Sequence, residues 1–311
     1  MLKKTLILLG FTIITAILLR CFLVNRPQGK HYSPSLIINT DSRKQQEEFL
    51  EKTVQRTNTF NPVTKNNTIT ETIVSLDSDK EIKTLIKNLE NDNFQISQEA
   101  ADKLTAIGKE AVPLLCETMK NSDTPLKGQI AFILGRIGDT EASSALLCTI
   151  KDKNAYIRRN SAEALGKIKD EQAVFALSLT LFDKDISVRQ RSAWALGELS
   201  HPHGASSLLD RIRDEKEMRV KTAIVNALGN LKDNQAVETL LSELKTYGDQ
   251  LYKNAVINAL AEIKDMSTLS AIIEYADKLK KDKPVDNMLK GQWEESIKIA
   301  ESAIEKIKKQ S

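Results

Sequence analysis

The stretch RRNSAEALGKI, residues 158–168, recurs as RQRSAWALGEL at 189–199 and, with more drift, as KTAIVNALGNL at 221–231. Aligned on the leucine of Ala-Leu-Gly, the repeats place Leu104, Leu134, Leu165, Leu196, Leu228 and Leu260 in one column, at steps of 30, 31, 31, 32 and 32 residues. A period of this size marks a stacked array of supersecondary units. Small or aliphatic residues also recur eight and three positions before the leucine and three after it, as in Ile157, Ala162 and Ile168. Those offsets trace one face of a helix. A second apolar segment follows each, for example AVFALSLTL at 173–181. Each unit therefore reads as two antiparallel helices, which cannot bury their apolar faces unless neighbouring units stack.

The polar columns have structural readings of their own. Asp123, Asn154, Asp185, Glu217 and Asp249 stand four residues before a basic column of Lys127, Arg158, Arg189, Lys221 and Lys253. Asp and Asn there suit a helix N-cap, since their oxygens accept from the free amides of the first turn; Glu217 is outside the usual capping set. The basic column is either a ladder for an acidic ligand or a set of ties to acids such as Asp152, Asp183 and Glu215 in adjoining units. Gly135, Gly166, Gly197 and Gly229 follow the leucine inside a helix, where Gly costs about 1 kcal/mol relative to Ala. Close approach of the next helix accounts for them.

The pattern Val-Arg, Ala-Leu-Gly-x-Ile, a turn Asp and then Ala-Val, read in YIRRNSAEALGKIKDEQAVFAL at 156–177, resembles the bacterial HEAT-like repeat named after the phycobilisome lyases. The resemblance covers about 81–280 and implies an all-α, right-handed α-solenoid of about six helix pairs. It says little about activity, because such repeats imply stacking rather than chemistry. The unit at 97–120 departs most, with Thr105 at the glycine position, as an atypical terminal repeat would.

Outside the array, residues 1–24 (MLKKTLILLGFTIITAILLRCFLV) read as a signal-anchor or transmembrane segment. Its apolar run, extended past Arg20, approaches the roughly 20 residues that cross a bilayer. No small-x-small cleavage site follows, and Arg20 precedes Cys21 where a lipoprotein signal requires a small residue. The expectation is a single-pass membrane protein anchored through residues 5–24, amino terminus inside, with the repeats periplasmic or extracellular. Residues 25–78 read as a flexible polar tether, 79–283 as the solenoid and 284–311 as a capping helix. The cap's apolar face is expected to hold Leu289, Trp293, Ile297, Ala300, Ile304 and Ile307.

Composition narrows the function classes. Only 5% of the 311 residues are aromatic, with 12 Gly and 7 Pro, which fits an all-helical chain. A net charge of +3 is too small for a nucleic-acid binder's footprint. The three cysteines, Cys21, Cys116 and Cys148, form no disulfide framework and read as buried small apolar residues. Of three histidines, His201 and His203 share the turn SHPHGA. Two imidazoles fall short of the three or four ligands zinc needs. No Gly-rich phosphate loop, nucleophile elbow or His-Glu pair of the helical-repeat di-iron hydroxylases appears. No catalytic residue, metal, cofactor, nucleic acid or small-molecule substrate is expected.

One column does point to a partner. Two residues before each leucine stand Asp102, Phe132, Glu163, Trp194, Asn226 and Asn258. Four are polar, so the column is expected to face solvent and Phe132 and Trp194 to be exposed anchors for a protein partner. The basic column, Lys127 to Lys253, is the second candidate. The sequence thus leads to a non-catalytic, membrane-tethered scaffold for protein–protein interaction in the bacterial envelope. The alternatives are a chromophore-lyase-like repeat enzyme and a secreted or periplasmic assembly factor.

Overall fold

The computed structural model describes residues 70–309 apart from 123, 247–248 and 285–286. The chain divides into two units, Met1–Asn66 and Asn67–Ser311, and every described residue belongs to the second. The described elements are all helical: α1 (Thr70–Asn88), α2 (Phe94–Ile107), α3 (Val112–Asn121), α4 (Leu126–Ile137), α5 (Ser143–Thr149), α6 (Ala155–Ile168), α7 (Val174–Thr180), α8 (Ile186–Leu199), α9 (Pro202–Asp214), α10 (Met218–Leu231), α11 (Val237–Lys245), α12 (Gln250–Ile263), α13 (Leu269–Lys281) and α14 (Asn287–Lys308). The even-numbered helices from α4 to α12 pack successively against one another, and each odd-numbered helix returns the chain between two of them. This is an α-solenoid. The first described helix begins at Thr70, inside the stretch read as the end of the tether.

The leucine column is the spine. Leu104, Leu134, Leu165, Leu196, Leu228 and Leu260 are all fully buried. The glycine column sets the spacing between neighbours. A Cβ added at Gly135, Gly166, Gly197 or Gly229 would lie 2.8 Å from the backbone Cα of Ala164, Ala195, Ala227 or Ala259 on the next helix. Only a residue without a side chain fits there. Buried hydroxyl pairs add a polar tie across the same stack: Thr149 to Ser161 and Thr180 to Ser192, both 2.7 Å.

The turns are equally repetitive. Helices α6, α8, α10 and α12 each end on a left-handed residue, Lys169, Ser200, Lys232 and Lys264, and α4 ends on left-handed Gly138. In four of these five turns the next residue is Asp139, Asp170, Asp233 or Asp265, whose carboxylate accepts the amide two residues on. Asn154, Asp185 and Asp249 cap their helices, whereas Glu217 makes no side-chain cap. Asp123 lies outside the described residues.

The carboxy-terminal helix α14 packs on α12 and α13. Its buried face runs through Ser296, Ala300, Ala303 and Ile307, with Trp293 and Ile304 partly covered. Leu289, expected on that face, is about half exposed because it stands beyond the end of α13 that covers Trp293.

Two expectations are corrected. The localisation, a single-pass anchor with the repeats outside the cytoplasm, is not retained: among the described residues no helix is long and apolar enough to cross a membrane. Residues 1–24, on which that reading rested, lie outside the described residues. The described helices alternate apolar and charged faces, which suits stacking against one another rather than lipid. Cys148 is exposed and Cys116 half-buried rather than both buried, while Cys21 lies outside the described residues. Cys148 stands off the buried face of its helix, which runs through Ala145, Leu146 and Thr149, whereas burial pushes the Cys116 thiol up.

Candidate functional site

Four of the five residues of the basic column are paired inside the stack. Lys127 Nζ lies 3.6 Å from Asp152, on the loop before the next unit's first helix. Arg158 donates from Nε and Nη2 to the two oxygens of Asp183, both at 2.7 Å, and from Nη1 to the carbonyls of Asp152 and Lys153. Arg189 makes the corresponding fork to Glu215, at 2.8 and 3.1 Å, and reaches the carbonyl of Asp183. Lys221 pairs with Glu243 at 3.0 Å, and Tyr252 donates its hydroxyl to that carboxylate at 2.6 Å. Arg158 and Arg189 therefore tie the loop before their own helix to an acid that follows the unit's second helix, while Lys127 and Lys221 each hold a carboxylate.

The middle pairs are buried. Burial alone would raise the Glu215 carboxyl, but hydrogen bonds from Arg189, the Glu217 amide and Arg211 outweigh it and hold the group at about 2. Asp183 is held below its ordinary value in the same way, burial opposing and Arg158 prevailing. Lys253, the fifth member, has no ion pair among the described residues.

The two expected aromatic anchors differ. Phe132 is 40% exposed, with the Arg136 guanidinium 5.9 Å and the Lys167 ammonium 5.4 Å from its ring centre. Such contacts hold a surface ring in place. Trp194 is instead half-buried, packed on the core beside the Gly166 backbone. It fills space that a side chain at 166 would occupy, so it is partly a packing residue. Its open edge lines a small cleft with Arg191, Arg219 and Asn226.

A more exposed apolar surface lies on the opposite set of helices. Phe175 (64% exposed), Leu179 (52%) and Phe182 (60%) stand at i, i+4 and i+7 on α7 and the turn that follows. That spacing aligns side chains on one face of a helix. The equivalent positions carry Ser144, Cys148 and Lys151 one unit earlier and Ser206, Asp210 and Arg213 one unit later. The stripe is thus local to a single repeat, with Arg211 over the Phe182 ring at 5.2 Å. The sequence signal was present in AVFALSLTLF, where Phe175, Leu179 and Phe182 fall on the face opposite buried Val174, Leu177 and Leu181. Alignment on the Ala-Leu-Gly helix drew attention to the other face.

His201 occupies the position of the turn aspartates. Its Nδ1 accepts the His203 amide at 3.2 Å, so it is the N-cap of α9, and Pro202 begins the helix directly. Proline is well placed at the first helical position because it lacks an amide that would need a partner. This is why α9 starts without the short 3-10 turn that precedes α5, α7, α11 and α13.

Comparison with known proteins agrees with this geometry. HEAT repeats match residues 112–181 and 177–261. No curated protein matches the sequence. Among solved structures the chain is similar to yeast importin-β (Kap95p), with a TM-score of 0.53 and 15% identity, over 84% of this chain and 38% of that one. It is also similar to the CpcE–CpcF complex of phycocyanin lyase from Nostoc sp. PCC7120, at a TM-score of 0.44 and 17% identity, over 79% and 98% of the two chains. Human deoxyhypusine hydroxylase follows at 0.34 and 18%, over 75% and 99%. At these identities the likeness is one of fold alone.

Proposed function

We propose that this chain, a HEAT-like repeat protein by its match to HEAT repeats over residues 112–181 and 177–261, is a non-catalytic scaffold that binds a protein partner. In this reading residues 79–283 are the binding array and 284–311 close its end. The observation that carries it is the stripe Phe175, Leu179 and Phe182, three large apolar side chains more than half exposed on one repeat whose neighbours are polar there. Contiguous exposed apolar surface of this kind marks interaction sites on soluble proteins. Aromatic residues clustered in a patch supply most of the energy at interfaces. Phe132, braced by Arg136 and Lys167, is a secondary contact on the other helix layer. The basic column is left out of the binding surface, because Lys127, Arg158, Arg189 and Lys221 already hold carboxylates within the fold.

The test places a photo-crosslinking amino acid at Leu179 in the full chain, in the cells that make it. A discrete adduct with a second protein is expected, and its yield should collapse in a Phe175→Ser, Phe182→Ser background. Thermal unfolding should stay unchanged, since both rings are mostly in water already. No adduct, or an adduct that survives both substitutions, would sink the reading.

A further inference from the structure

The ladder of ion pairs stops at the last repeat, and a cleft opens where it stops. Helices α11, α12, α13 and α14 enclose a space of about 540 Å³. That size lies within the range of about 300–1,000 Å³ typical of small-ligand pockets. Its apolar wall includes Leu244 and Leu279, both buried, and the Trp293 ring, which is fixed by an Nε1 hydrogen bond to the Leu279 carbonyl at 2.8 Å. Lys245, Lys253, Lys278, Glu274 and Asp282 are its charged lining residues.

The repeat supplies its own control for Lys253. Lys221 in the preceding unit is neutralised by Glu243. The residue 32 positions after Glu243, in register with it, is Tyr275. A phenol stands where the ladder calls for a carboxylate, and both Lys253 and Tyr275 face the cleft. The Tyr275 oxygen accepts from Gln250 Nε2, and its own proton has no acceptor among the described residues. Burial pushes the phenol up, so it remains a donor. A cation and a hydroxyl donor that pair with neither Glu274 nor Asp282, beside an apolar wall, together define a receptor for a carboxylate on a hydrocarbon body.

We propose that this cleft binds a small apolar carboxylic acid, a medium-chain fatty acid in type, whose carboxylate takes the ladder position vacant between Lys253 and Tyr275 while its chain lies against Leu244, Leu279 and Trp293. The site is independent of the partner surface on α7.

The test titrates the full chain with decanoate, followed by calorimetry and by tryptophan fluorescence. Saturable binding is expected, with 1-decanol weaker by about tenfold or more because it cannot supply the charge. Lys253→Gln and Tyr275→Phe should each lower decanoate affinity by a similar factor while leaving decanol binding unchanged. Tyr275→Glu, which restores the carboxylate to the column, should abolish decanoate binding and raise the unfolding temperature. Equal affinity for acid and alcohol overturns the proposal, as does unaltered decanoate binding in Lys253→Gln. Binding only of a peptide ending in a free leucine carboxylate, with no response to decanoate, also overturns it and reassigns the cleft to a protein terminus.

Discussion

Arg189 in the middle of the array and Lys253 at its end occupy the same column of the same repeat, yet they live in different chemistry. Arg189 is buried, forked onto a carboxylate, and bonded to a loop carbonyl. Lys253 is half-buried on a cleft and has no ion pair among the described residues. Between them the column grades from Arg with a bidentate partner to Lys221 with Glu243, and Lys127 with Asp152 at 3.6 Å mirrors this at the other end. Arginine sits where planar two-point recognition and burial coincide, which is the geometry its guanidinium suits best. A solenoid repeats its backbone plan, but each position is free to change what neutralises it. Function can therefore settle where the pattern lapses.

The sharpest way to break this contrast is to remove Glu215. Glu215→Ala leaves Arg189 buried without its partner and strips Arg211 of its contact as well. Breaking a buried pair on one side costs about 3–5 kcal/mol. Chemical unfolding followed by circular dichroism should show that loss, whereas Lys253→Ala should change stability by less than about 1 kcal/mol. Similar losses at the two positions would mean that the middle and the end are not distinct.

Acid should expose the same difference without a substitution. The Glu215 carboxyl is held at about 2 in the folded chain, below its ordinary value. A depressed carboxyl contributes stability that is complete above its unfolded value and lost as pH falls through the folded one. Unfolding free energy should thus decline from the ordinary glutamate range down towards pH 2, by about 3 kcal/mol from this group alone. In Glu215→Gln that slope should flatten, leaving the smaller share from Asp183, whose carboxyl is also lowered.

The spacing of the stack is the next target. Gly197→Ala would place a methyl carbon 2.8 Å from the Ala227 Cα, and backbone cannot swing aside as a side chain does. Overpacking of this kind costs about 1–3 kcal/mol. Gly204, where the nearest atom to an added Cβ is a Leu196 methyl at 3.4 Å, should tolerate alanine far better. A loss at both, or at neither, would separate the glycine column from the close approach of α8 and α10.

These columns show what the sequence made legible. Leu104 to Leu260, the glycines and the inter-unit pairing of Arg158 with Asp183 could be read because a period imposes the same environment several times, so chance agreement is small. What escaped was whatever occurs once. The burial of Trp194 depends on the room left by Gly166 on the neighbouring helix, which no single helix face discloses. His201 in an aspartate's place was not legible as a cap because an imidazole nitrogen is an unusual acceptor there. The partner Glu243 was missed because it lies on α11 rather than in the loop that supplies Asp152, Asp183 and Glu215. Phe175, Leu179 and Phe182 broke the pattern in the less regular second helix, where alignment was weakest.

The smallest effect lies in the turns, and it has opposite signs at two equivalent positions. Gly138 (φ 75°) and Lys264 (φ 62°) both close their helices in the left-handed region. A side chain there costs about 1–2 kcal/mol through the clash of Cβ with its own carbonyl. Glycine returns part of that through the extra freedom of its unfolded chain, about 0.5–1 kcal/mol. Lys264→Gly should therefore stabilise the protein by about 0.5 kcal/mol, and Gly138→Ala should destabilise it by a similar amount. Both variants keep the backbone hydrogen bonds to Leu260 and Leu134, so the difference isolates the dihedral cost. If the two substitutions instead move the midpoint of chemical unfolding in the same direction, the turn at the end of α12 does not share the geometry of the turn after α4, and the last repeat is distinct in its backbone as well as in its missing carboxylate.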